Sequence, residues 1–83
     1  MTPETKLMQA LATVAGRALM AKGMTAAEAA TFLAETHLAE VKAIILEEVA
    51  QAQADMKATP WMKDVVAMSL NAGVAARVLQ LAA

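Results

Sequence analysis

Apolar residues recur along this chain at helical spacing, three and four apart, and nowhere in the strict alternation of a half-buried strand. Between positions 7 and 19 they are Leu7, Met8, Ala10, Leu11, Ala12, Val14, Ala15, Ala18 and Leu19. On a helical wheel these fill more than half the circumference, with Lys6, Gln9, Thr13, Gly16 and Arg17 on the rest. A second row runs Ala27, Ala30, Ala34, Leu38, Val41, Ile45, Val49, Ala52 and Met56, widened by Leu33 and Ile44. Nearly opposite lies a smaller row of Phe32, Ala39, Ala43, Leu46 and Ala50. The last segment has two opposed apolar rows. One is Trp61, Val65, Met68, Ala72, Ala76 and Leu79; the other is Leu70, Val74, Val78 and Leu81, with Ser69 and Gly73 as a small-residue notch between them.

Punctuation divides these rows into three predicted helices, at about 3–22, 26–57 and 60–81. Thr2 is placed to cap the first, with Pro3 at the first helical position, where a missing N–H costs nothing. Gly23 can take the left-handed conformation that ends it. Thr25 and Glu28 have capping-box spacing. Thr59 and Pro60 repeat the opening device, and the residue before a proline resists helical angles, so the second helix should stop near Lys57 or Ala58. Acids early in each helix (Glu4, Glu28, Asp64) and bases late (Lys22, Lys57, Arg77) suit the helix macrodipoles.

The second helix raises a difficulty of length. Unbroken from 26 to 57 it would be about 48 Å long at 1.5 Å per residue. A compact domain of this size has a diameter of about 30 Å. Either its end, with Val49, Ala52 and Met56, finds a partner, or the helix bends near Thr36. In Thr25–Thr36, Glu28, Ala29, Ala30 and Leu33 resemble the opening of excisionase-type helix-turn-helix domains, in which a Glu-Ala-Ala segment and a Leu precede a glycine-containing turn. Ala34 stands where that glycine would be, and Thr36 would be the second cap. The resemblance implies a DNA reader in residues 25–50. The chemistry after the turn opposes it: Glu40, Glu47 and Glu48 face one Lys, where phosphate neutralisation needs Lys and Arg. Leu38 also continues the apolar row, so one long helix is expected.

Composition sharpens the picture. The 83 residues are 59% hydrophobic and 2% aromatic, and nearly half of the hydrophobic residues are alanine, which brings helices close but buries little area. A chain this small has a marginal core of its own, so a second subunit would add much. The net charge of −1 gives no general attraction to nucleic acid or anionic lipid. Cysteine is absent, which excludes disulfides and thiolate zinc sites. The start lacks the basic character of a signal peptide, and a cytoplasmic location is expected. The last helix is long enough to cross a bilayer, but Arg77 alone would cost about 2.5–3.5 kcal/mol at its centre, so membrane insertion is not expected.

Candidate chemistry is sparse. His37 with Glu40 reverses the Glu-x-x-His order of helical carboxylate metal sites and has no second copy. It reads as a boundary histidine, its polar tip in water or on a carbonyl. Glu47 and Glu48, as neighbours, point about 100° apart and form no carboxylate pair; Glu48 could meet Arg17 or Lys22. No nucleophile–base set and no Gly-rich phosphate loop is present. Trp61 reads first as a plug closing the end of the core, and second as a partner hot spot.

The expectation is therefore an all-α, three-helix antiparallel bundle with a long acidic central helix, the last helix the most buried, completed by dimerisation. Its candidate interface is Val49, Met56, Trp61, Leu70, Val74, Val78 and Leu81. The expected function is that of a non-catalytic protein-binding module (adaptor, inhibitor or regulatory subunit) without metal or cofactor. The alternative is a helix-turn-helix DNA-binding regulator.

Overall fold

A computed structural model describes residues 2–83. Over those residues the protein is all-α, with four α-helices and no strand: α1 (Pro3–Ala21), α2 (Ala26–Thr31), α3 (Leu38–Ala58) and α4 (Lys63–Ala82). A π-helical turn, Phe32–Thr36, joins α2 to α3, and a 3-10 turn, Pro60–Met62, leads into α4.

The punctuation explains most boundaries. Thr2 accepts from the Thr5 N–H at 3.2 Å, and Pro3 opens α1. At the other end, Gly23 has φ +107°, the Gly23 N–H donates to the Met20 carbonyl and the Met24 N–H to the Leu19 carbonyl. That pair of bonds is a Schellman closure. The capping box forms in full: the Glu28 N–H donates to the Thr25 hydroxyl and the Thr25 N–H to the Glu28 carboxylate. Thr59 departs from expectation. Its hydroxyl donates back to the Asp55 carbonyl at 2.9 Å, so it finishes α3, and α4 has no side-chain cap.

The helix expected over 26–57 is interrupted. In the π turn the His37 N–H donates to the Phe32 carbonyl, five residues back, and His37 itself leaves helical geometry at φ −129°, ψ 30°. The interruption moves the buried row. Before it, Ala29 is buried and Phe32 and Leu33 pack against the core, while Ala27, Ala30, Ala34 and Leu38 are exposed. After it, Val41, Ile44 and Ile45 are buried. The apolar row drawn through Ala27, Ala30, Ala34 and Leu38 is therefore the inward face only from Val41 onward. A wider turn uses more residues per revolution, so the two halves are out of phase.

The break also resolves the problem of length, because the molecule's longest extent is 38 Å, against 26 and 17 Å in the other directions. α4 packs along both α1 and α3, which make little backbone contact with each other. The shared core is Leu11, Ala15 and Leu19 of α1, Ala29 of α2, Val41, Ile44 and Ile45 of α3, and Val74 and Val78 of α4. Among the described residues no polar or charged side chain is fully buried. Val66 is the only other buried residue of α4. The final helix is thus not the most buried, as its composition suggests; in its most apolar stretch only 17% is covered.

Candidate interaction surface

α4 can present two apolar rows, and packing decides which one the chain itself uses. Val74 and Val78 are 0% exposed, enclosed between α1 and α3, and Leu70 and Leu81 are half-buried beside them. The structure thus corrects the candidate interface: Val74 and Val78 belong to the chain's own core and are not free to form a shared one. The row left to solvent is the other. Trp61 is 79% exposed, Val65 51% and Met68 71%, and Ala72 and Ala76 continue the row, also exposed. Trp61 plugs nothing.

A polar contact accompanies this packing at the edge of the inward side. The Arg77 guanidinium bonds Glu47 at 2.6 Å and reaches Glu48 at 3.5 Å. Both acids, and Glu47 first, push the guanidinium still further from deprotonation. Glu48 therefore meets Arg77, not Arg17 or Lys22. Gly73 lets it approach: a Cβ at that position would lie 2.6 Å from the Glu48 Oε2. These contacts hold α3 and α4 with the end of one beside the start of the other, and they tie up one of the two bases of α4.

Beside this face α1 and α3 splay apart. The gap is an open apolar groove of about 450 Å³ lined by Leu7, Val49, Ala52, Met56, Val66 and Leu70, with Gln53 and Lys63 at its rim. Of the remaining candidate residues, Val49 and Met56 lie here, Val49 half-buried and Met56 exposed. Leu70 faces the same groove from α4. A second groove continues it between Met8 and Leu46. Sequence periodicity placed Leu46 on a minor row; in the fold it is 61% exposed at the lip of that groove.

The polar chemistry is slight. The His37 ring packs against Phe32, centroids 4.4 Å apart and tilted by 38°. Its Nδ1 is shielded from solvent without a hydrogen-bond partner, and the Glu40 carboxylate is 3.8 Å away, too far for a bond. Among the described residues no group of three or more His, Asp or Glu converges as a metal site would require. By length and composition, Pro60–Ala82 could cross a membrane, with mean hydropathy 1.5.

The total area gives this surface its weight. The chain exposes 5532 Å². A compact monomer of its 8.7 kDa mass would expose about 4,700 Å². The excess, about 800 Å², is near what one partner contributes to a standard protein–protein interface. No known protein family, no curated protein and no solved structure matches this chain, so its surface and its packing are the whole basis for a functional reading.

Proposed function

We propose that the protein is a small, non-catalytic interaction module that works as a homo-oligomer in the cytoplasm, as an adaptor, inhibitor or regulatory subunit. The observation that carries this is exposed apolar surface: Trp61, Val65, Met68, Leu46 and Met56 lie open on a chain whose own core is one small cluster with a few residues from each helix. Clustered exposed apolar side chains, here an outward row and a separate groove, mark interaction sites on soluble proteins. On this reading the helical layers are completed by a second copy, and the partner of the assembled module is another protein.

Sedimentation over a concentration series tests it. A mass that rises from one chain toward two or more as concentration increases supports the reading. One-chain mass throughout, with no oligomer at high concentration, removes self-association.

The break at His37 meets one requirement of the DNA-binding alternative. Charge works against it, since α3 presents Glu40, Glu47 and Glu48, and like charge repels phosphate. A mobility shift on duplex DNA that weakens with salt would revive it.

A further inference from the structure

We propose that two copies pair through α4 in antiparallel orientation, burying Trp61 of each against the alanine-rich end of the other. This rests on reading the protein as self-associating and specifies the surface and the register. The exposed row of α4 is graded by size: Val65 and Met68 fill its first half, Ala72 and Ala76 its second, and Trp61 stands exposed in the 3-10 turn just before it. A row that is large at one end and small at the other is complementary to its own reversed copy. Met68 then falls opposite Ala72 of the second copy and Val65 opposite Ala76, and the turn that carries Trp61 lies beside the alanine-rich end. Each contact occurs twice, as a two-fold interface demands. Parallel pairing would instead set Trp61 against Trp61, leave a gap between the alanines and align two macrodipoles.

Charge and area agree. No charged residue lies on the row: Arg77 is engaged by Glu47 and Glu48, Lys63 faces the groove, and Asp64 flanks the row at its start. The alanines allow the helix axes to approach to about 8 Å. The surplus of about 800 Å² belongs to the whole surface of the chain, and in size it matches the share one partner contributes to a standard interface.

Two natural features make the test direct, because Trp61 is the only tryptophan and the chain has no cysteine. Tryptophan emission of the unmodified chain is followed over the same concentration series as its sedimentation. In parallel, Val65→Cys, Ala76→Cys and the double variant are oxidised. Like positions on the two copies would be offset by about 16 Å along the axis, far beyond disulfide reach. Within one chain the two cysteines are equally distant. The pairing expects a blue shift of Trp61 that tracks dimer formation, and covalent dimer at least about tenfold more abundant in the double variant than in either single one. A dimer without the blue shift and without covalent product overturns this pairing and leaves self-association standing. A one-chain mass at every concentration overturns both. A blue shift produced only by phosphatidylcholine vesicles, with no dimer, assigns the face to a bilayer and also overturns the pairing. The tryptophan readout requires no substitution, so a misfolded variant cannot obscure the outcome.

Discussion

The carboxylate of Glu48 occupies the space in which a side chain at Gly73 would begin. Its Oε2 lies 2.6 Å from the position of a Cβ there, close enough that the two cannot coexist unmoved. Glycine in mid-helix costs about 1 kcal/mol relative to alanine, and here that cost accompanies an acid seated against α4 and held by Arg77.

Gly73→Ala should therefore change stability little, within about 0.5 kcal/mol, because the helix-propensity gain is offset by displacement of Glu48. In a Glu48→Ala background the same substitution should stabilise by about 0.5–1 kcal/mol. Denaturant melts of the four-member cycle check this; equal effects in both backgrounds would mean that Glu48 does not sit on Gly73.

Arg77→Met should lower the melting temperature at low salt, and the deficit should shrink as salt is added. The shorter of the two contacts, to the exposed Glu47, is open to solvent, so its attraction is screened. A deficit independent of salt would point to packing of the side chain's stem.

The capping box predicts an acid-dependent loosening of α2. Hydrogen bonding, first from the Thr25 backbone N–H and then from its hydroxyl, holds the Glu28 carboxyl below its ordinary value of 4.5. A group depressed in the folded state contributes stability above its unfolded value, and that contribution is lost as pH falls through the lower, folded one. Stability should thus decline below pH 4.5, and Glu28→Gln should flatten that part of the profile. Thr25→Ala should cost about 1 kcal/mol at neutral pH, read by thermal melting followed by circular dichroism.

Core and surface apolar residues should separate cleanly. Leu11→Ala should destabilise the chain by about 2–5 kcal/mol. Trp61→Ala should leave the stability of the isolated chain within about 0.5 kcal/mol. Val74→Glu should unfold the protein, since Val74 is fully enclosed. A folded, monomeric Val74→Glu variant would return that residue to the surface.

How much of this was legible depended on whether one physical cause or two competing ones acted at a position. Thr2, Pro3, Gly23, Thr25 and Glu28 serve backbone groups within a few residues, so their roles follow from spacing alone, and the structure realises all of them. Thr59 had two helix ends within reach, and spacing could not say that its hydroxyl would turn back to Asp55. The rows of α4 are a harder case. Both are apolar, so hydrophobic pattern carries no information about which one faces α1 and α3. The usable signal was electrostatic: Arg77 stands on the Leu70–Val74 side, and adjacent acids at Glu47 and Glu48 offered it a place to land. The break at His37 leaves no mark in composition, because Ala34, Glu35, Thr36 and His37 are all tolerated in a continuous helix. The apolar row even runs through it in phase, so the break shows only in the fold, where the buried residues before and after it belong to different rows.

The widened turn at Phe32–Thr36 works as a rotational gear. Each added residue turns everything downstream by about 100° about the helix axis, so a single insertion selects the side on which α3 meets its neighbours. Restoring regular winding would swing Ile44 and Ile45 toward water and carry Glu47 and Glu48 away from Arg77, without altering one side chain in the last two helices. The angular setting of half the molecule is thus stored in five residues that touch its core only through Phe32 and Leu33.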